Sequence, residues 1–262
     1  MSQNQSRFEQ RLFTVEDRQR IQAHLVELAH TDRRIVAGAL LGSLAHDAGD
    51  QWSDLDLSFG LAMGTNVYEV LVDWTEQMRR EFEAVHLFDL LHLTSIYRVF
   101  MLPNNLQIDL SFTPESDFGA LGPRFTLLFG KAVERSVPPQ PTPQHRFGLA
   151  VHHAVRARFC IERGRYWQAE HWITGVREEA LTLACHRLGL EGHEARGFDR
   201  LPSALLVHAG DTLVHSVQRG ELLRALGAVV ELLLSEADEV PDLAAKVEAQ
   251  LRDLTADDTT TG

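Results

Sequence analysis

The sequence predicts two folded parts in series, an α/β (α+β) domain built on a mixed sheet and then an all-α helical bundle. Three observations predict this. Between residues 14 and 112 the apolar pattern alternates between the 3.6-residue repeat of amphipathic helices and the two-residue repeat of strands. From residue 146 onward nearly everything reads helical, with Gly164, Gly189 and Gly210 as punctuation and no convincing strand. Between them, SVPPQPTPQH (residues 136 to 145) holds four of the nine prolines. Proline fixes φ and removes a donor, so such a cluster stiffens a connection while excluding helix and central strand. The expected organisation is therefore residues 1–135, a Pro-rich linker at 136–145, and a helical part at 146–262 ending in an acidic tail.

In the first part, Thr14 with Asp17 makes a capping-box start to a helix through about residue 30, whose Ile21, Leu25 and Leu28 share one face. Four strand-like runs follow at 33–40, 55–62, 95–102 and 106–112, with a helix expected at 67–82 and a further strand at 85–93. Pro103-Asn104-Asn105 is the best hairpin turn, since asparagine tolerates the backbone needed to reverse the chain. No internal repeat or long low-complexity tract interrupts these elements.

The chain has 262 residues, 44% of them hydrophobic and 24% charged, enough for one large core or two modest ones. The opening MSQNQSRFEQRLF has no apolar h-region, and no run approaches the roughly 18 apolar residues of a spanning helix. A cytoplasmic location without membrane association is expected. Only Cys160 and Cys185 are present, in apolar helical segments, so reduced core thiols are expected rather than a disulfide framework or a cysteine zinc site. The net charge is −12, but nine acids against two bases between residues 231 and 262 give that end −7 and leave −5 for the rest. A solvated acidic helix and tail accounts for that end. Without a basic patch, tight binding along an extended nucleic acid is disfavoured, and a small cationic substrate suits the field better.

The chemistry concentrates in GALLGSLAHDAGDQWSDLDLSFG, Gly38 to Gly60. Two aspartates at i and i+2 in an apolar strand, Asp54 and Asp56, project from the same face with Cα atoms roughly 7 Å apart. Such a pair repels itself unless something positive sits between. Upstream, Gly42-Ser43 ends a strand where a helix is expected to begin, and helix N-termini attract phosphate while glycine lets an anion approach the backbone. Asp109, in LQIDLSF, is a third acid in an apolar strand, and a strand next to the first pair would bring it to the same cluster. Three carboxylates beside a phosphate-binding turn suit Mg²⁺-dependent phosphoryl or nucleotidyl transfer, in which metals bridge the acids and a triphosphate.

At these residues, Gly42-Ser43-x-Ala45 followed by Ser53-Asp54-x-Asp56-Leu57 resembles the signature of the nucleotidyltransferase superfamily, with Asp109 in the position of the third acid. The helical half is similar to that of the antibiotic nucleotidyltransferases acting on aminoglycosides or lincosamides. The resemblance implies a nucleotidyltransferase-fold catalytic domain, then a helical domain for substrate binding or dimerisation that closes one side of the cleft. It implies transfer of a nucleoside monophosphate, AMP first, from ATP or another NTP to a hydroxyl of a small molecule. Asp54, Asp56 and Asp109 would hold Mg²⁺, with two ions expected, and Gly42 and Ser43 would bind the nucleotide. Asp109, Glu170 or Glu178 would accept the hydroxyl proton, and a homodimer is among the expected assemblies. The chain departs from the pattern at His46 and Asp47, where many members carry arginine and glycine, although Gly49 follows. An added carboxylate there bears on the nucleotide's identity and affinity rather than on the fold.

Each residue also has a plainer reading. Asp54 and Asp56 would then be strand-end acids in water, Asp109 would pair with a cation such as Arg98, and Ser43 would be an ordinary N-cap. His152, His153 and His171 lack acid or cysteine partners at ligand spacing, so they read as packed or exposed. Arg124 and Lys131 read as solvated charges at strand ends, with triphosphate contact as the other option. Two further functional classes stand beside the transferase. One is an antitoxin-like nucleotidyltransferase fused to a HEPN-type helical domain and modifying a macromolecule, for which Arg165 and His171 give the R-x5-H spacing. The other is a catalytically idle binding module, against which the retention of all three acids speaks.

Overall fold

Thr14 starts the first helix as expected. Its hydroxyl accepts from the Asp17 N–H at 3.1 Å while the Asp17 carboxylate accepts from the Thr14 N–H at 3.2 Å, a reciprocal capping box. The structure is a computed structural model describing residues 12–46, 49–136 and 139–256. The chain divides into two compact units, Met1–Pro138 and Pro139–Gly262. The sequence expectations for Asp47 and for Asp257 and Asp258 in the tail lie outside the described residues.

In the first unit, helix α1 (Val15–Thr31) leads to β1 (Ile35–Leu41), a short 3-10 turn (Gly42–His46), β2 (Leu55–Leu61) and α2 (Val67–Phe82). Then come β3 (Val85–His92), β4 (Ser95–Met101), β5 (Gln107–Pro114) and β6 (Phe125–Phe129). The six strands form one sheet in the order β3-β4-β5-β2-β1-β6. Only β2 and β5 run parallel and every other neighbouring pair is antiparallel, so the sheet is mixed. β4 and β5 meet at the expected hairpin, where Asn105 takes the left-handed φ of +62°.

Strand alternation gives this sheet two unlike faces. Leu55, Leu57, Phe59 and Leu61 of β2 lie level with Ile108, Leu110 and Phe112 of β5 on one face. They are buried there with Leu25 of α1 and Leu71, Trp74 and Met78 of α2 in a single core. Each such side chain contributes about 1.5–3 kcal/mol. The residues between them point the other way: Asp56, Ser58 and Gly60 on β2, Asp109, Ser111 and Thr113 on β5, Ala37 and Ala39 on β1. The hydroxyls of this second face pair with one another, Ser111 donating to Ser58 at 2.7 Å and Ser95 and Thr113 lying 2.7 Å apart. The helices thus cover one face, and the carboxylates sit at one end of the other.

The second unit contains α3 (Pro143–Glu162), α4 (Tyr166–Arg187), α5 (Ser203–Asp211), α6 (Arg219–Leu234) and α7 (Pro241–Asp253). Its core joins Phe147, Ala154 and Ile161 of α3, Ile173, Val176 and Ala184 of α4, and Leu222, Leu226 and Val229 of α6. Alanines at the α3 and α4 contact let the two backbones approach closely. Glu236 is buried and receives two bonds from Arg187 at 2.8 and 2.9 Å, a fork geometry that neutralises it. Cys160 and Cys185 are buried and free, as expected, and burial pushes the Cys185 thiol up.

The structure departs from the sequence expectation at several places, among them Asp54, which lies just before β2 rather than on it. β6 was not foreseen, and it pairs antiparallel with β1. The turn after β1 is five residues of 3-10 helix rather than the start of an α-helix, so it lacks the macrodipole of a long helix. Residues 143–145, expected in the linker, form the first turn of α3 because Thr142 caps it and Pro143 occupies the position where a missing N–H costs nothing. Gly210 falls in the last turn of α5 rather than between helices. Among the described residues no helix is long and apolar enough to cross a membrane.

Candidate functional site

The parallel pairing of β2 with β5 sets Asp56 directly opposite Asp109 on the face away from the helices. Asp54 immediately precedes β2 and is half-buried. Its charge reaches Asp109. The Asp109 carboxyl is pushed up to about 6, chiefly by burial and further by Asp54, while the hydrogen bond from Gln107 Nε2 at 3.1 Å pulls the other way. Asp54 and Asp109 therefore share one electrostatic neighbourhood, and the strand register adds Asp56 opposite Asp109. Arg98, the cation the plainer reading offered to Asp109, points to the opposite face. It binds Asp89 at 2.6 and 2.7 Å and the Leu71 carbonyl and Thr75 hydroxyl of α2.

Gly42 is required by this arrangement. Its φ is +66°, and a Cβ built on it would lie 2.0 Å from Asp56 Oδ2. The turn thus brings backbone against the carboxylate, and any side chain would either strain the turn or displace Asp56. Gly42→Ala should cost about 2 kcal/mol from the left-handed backbone alone. A thermal melt should fall accordingly, and an unchanged melting temperature would show that the turn relaxes around the methyl.

Ser43 is fixed rather than merely present. Its hydroxyl donates to Ser53 Oγ at 3.0 Å, and Ser53 Oγ in turn accepts from the Asp50 N–H at 3.0 Å. The Asp50 carboxylate accepts from the Trp52 N–H at 2.8 Å, closing an Asx turn. Beneath the loop, Arg18 of α1 is 4% exposed and donates to the carbonyls of Asp50 and Ser53 at 2.8 and 2.6 Å. A buried guanidinium holding two carbonyls fixes the backbone that leads into Asp54. Sequence reasoning missed Arg18 and Asp50. The available signal was an arginine three residues before Ile21 and seven before Leu25, on the apolar stripe of the helix.

Ser43, Asp50, Ser53 and Asp54 line an open cleft of about 490 Å³ together with Phe13, Trp52, Asn105 and Gln107. Trp52 is 58% exposed on its rim. Of the other residues singled out, Glu170 and Glu178 belong to the second unit, on α4. Glu170 accepts from Thr174 at 2.9 Å, and Glu178 is exposed. Arg165 marks the N-terminal boundary of α4 and His171 is exposed on it. His153 stacks on Trp172 at 5.0 Å between ring centres, and burial pulls its imidazole down.

Among the described residues, no group of three or more His, Cys, Asp or Glu is arranged to hold a metal ion. The donor set nonetheless fits Mg²⁺. That ion prefers hard oxygen, keeps several waters, and is held by one or two carboxylates plus substrate phosphates rather than by a closed protein cage. Adjacent Asp56 and Asp109, with the charge of Asp54 reaching Asp109, meet that requirement.

No protein-family model matches the chain, and no curated protein matches it. Among solved structures, an aminoglycoside 6-adenyltransferase from Bacillus subtilis is similar at 12% identity and a TM-score of 0.40, over 89% of this chain and 96% of that one. A likeness of that strength assigns neither family nor residues.

Proposed function

We propose that this protein is a Mg²⁺-dependent nucleotidyltransferase that moves a nucleoside monophosphate, AMP first, from an NTP to a hydroxyl of a small molecule. The observation that carries the proposal is the register of Asp56 against Asp109 beside a turn whose glycine the Asp56 carboxylate excludes from substitution. Asp54, Asp56 and Asp109 would hold the metal, two ions in the full complex. When bound, the ions neutralise charge developing on the α-phosphate and on departing pyrophosphate. Ser43 and the backbone after Gly42 would hold the terminal phosphates, with the Ser43 hydroxyl tied to Ser53 in the 50–53 stretch that Arg18 and Asp50 fix. That pre-set geometry supplies alignment without an ordering cost at the moment of reaction.

The acceptor hydroxyl attacks the α-phosphorus, the bond to the bridging oxygen breaks, and pyrophosphate leaves. The hydroxyl proton would pass to a carboxylate of the cluster, Asp109 being the one opposite Asp56. Aminoglycosides are the first acceptors to test because their ammonium groups suit an acidic protein, and lincosamides come next. The antitoxin-like reading with a HEPN-type domain rests on the Arg165 and His171 spacing alone.

The test is incubation of the protein with MgCl₂, each NTP and panels of hydroxylated amines, followed by pyrophosphate assay and mass spectrometry. Acceptor-dependent pyrophosphate release with a mass gain of one nucleoside monophosphate is expected. Release of orthophosphate only, or no mass gain with any NTP, would overturn the assignment.

A further inference from the structure

We infer, resting on the nucleotidyltransferase reading, that Arg135 and Tyr97 form a phosphate-binding wall of the candidate site, taking the phosphates of the nucleotide while Asp54, Asp56 and Asp109 take its metal. The need for such a wall comes from charge. A triphosphate facing three carboxylates is repelled by them, and metal ions offset this only at the oxygens they touch. The cleft that holds Ser43, Asp50 and Asp54 has no lysine or arginine among its lining residues. A cation for the remaining phosphate oxygens has to come from another part of the face.

The strand register lays that face out in rows. Val99, Asp109 and Asp56 form one row across β4, β5 and β2, and Tyr97, Ser111 and Ser58 form the next. Tyr97 is half-buried there, and Ser111 donates to Ser58 at 2.7 Å. Two charges of opposite sign, Arg135 and Asp56, reach the Tyr97 phenol, so Arg135 belongs to the surroundings of the carboxylate row. The last stretch of the first unit delivers it. Gly130 follows β6 with a φ of +78°, and the Val133 N–H then donates to the Phe118 carbonyl at 2.8 Å. Phe118 is buried against Ala37 and Ala39 of the same face. Gly119 lets the stretch lie close, for a Cβ there would be 2.0 Å from the Val133 carbonyl oxygen and 3.2 Å from Arg135 Cγ. The guanidinium is thus carried on backbone already fastened to the sheet.

Its bonding leaves it available. Arg18 is committed to two carbonyls, Arg34 to Asp32 and Asp73, and Arg98 to Asp89. Arg135 is half-buried and makes no hydrogen bond or ion pair with another described residue. A charge held partly out of water without a partner has lost hydration that an anion would replace. The planar guanidinium fork fits two phosphate oxygens at once, and the Tyr97 hydroxyl, a donor at neutral pH, adds a further contact.

Thermal melts of the full chain with MgCl₂ and inorganic pyrophosphate, and separately with MgCl₂ and ATP, test this. Wild type should be stabilised by each. Ligand-free Arg135→Ala should melt with wild type, yet bind pyrophosphate and ATP roughly tenfold more weakly. Arg135→Lys should recover part of the loss, since an ammonium keeps the charge but not the fork. Tyr97→Phe should weaken both ligands by a smaller factor, about threefold. In turnover, Arg135→Ala should raise KM for the nucleotide and leave KM for the acceptor unchanged, which a general loosening of the site would not do. A wild type that responds while Arg135→Ala binds pyrophosphate equally well would overturn the inference and leave the transferase reading standing. So would a ligand-free Arg135→Ala that melts several degrees lower with unchanged ligand affinity, which would make the guanidinium a structural partner of the carboxylate row. No response of wild type to pyrophosphate or to any NTP with Mg²⁺ would remove the transferase reading and the inference together.

Discussion

Asp56→Asn is expected to lower nucleotidyl transfer roughly a thousandfold while leaving the fold intact. The side chain keeps its shape and its place opposite Asp109, so the change removes only the charge that neighbours the Gly42 turn. Loss of one of two adjacent carboxylates removes several kcal/mol of stabilisation from developing phosphate charge, and each 1.36 kcal/mol is a factor of ten. The fold should tolerate the change, because the amide keeps the shape of the carboxylate. A melting temperature close to wild type, with pyrophosphate release near background, is the expected pair of results. Activity within tenfold of wild type would remove Asp56 from the machinery. A collapsed melting curve would instead mean that the carboxylate holds the turn, and Ser43 phosphate contacts would then need testing by Ser43→Ala.

What the sequence made legible is what strong local chemistry controls. The Thr14 and Asp17 box, the 67–82 helix, the Asn-rich reversal and the alternation through Leu55–Leu61 each follow from one or two residues acting on their neighbours. Alternation also placed Asp109 and Asp56 on facing positions once their strands became neighbours. That the strands run parallel is a property of the path through α2, β3 and β4, which no local pattern encodes. β6 escaped notice because Phe125–Phe129 is short, partly exposed and flanked by Gly122, Pro123 and Gly130, so its pairing comes from β1 rather than from its own alternation. The helix expected after Gly42 stops as a 3-10 turn, and Asp54 lies outside the strand that the Asp-x-Asp spacing suggested for both acids. Arg18 was invisible for the reason that makes it effective. An arginine on an apolar helix stripe looks like an interruption until two carbonyls from a loop more than thirty residues away are found within its reach.

The pH dependence of the metal-free protein should expose the same carboxylate cluster without any assay of catalysis. The Asp109 carboxyl rises from its ordinary 3.8 to about 6 in the folded chain. Below pH 4 it is protonated in both states and contributes no penalty. As pH climbs from 4 to 6 the unfolded chain loses this proton while the folded chain keeps it, so stability falls with rising pH. Above the folded value, the folded chain must carry the buried charge and the loss is complete. The full shift corresponds to nearly 3 kcal/mol, and discounting for solvent that reaches a half-buried group leaves about 1 to 2 kcal/mol. Asp109→Asn cannot ionise, so in EDTA its stability relative to wild type should rise by that amount between pH 4 and pH 7, then level off. Denaturant titrations at a series of pH values measure the difference directly, and other titrating groups cancel in it. Adding Mg²⁺ with a nucleotide should narrow the gap above pH 6, because an ionised Asp109 gains from the cation as the amide cannot, while Asp54 and Asp56 remain in both proteins. A wild-type-minus-variant difference that stays flat across this window would show that Asp109 ionises as an ordinary exposed aspartate, with neither burial nor the Asp54 charge acting on it.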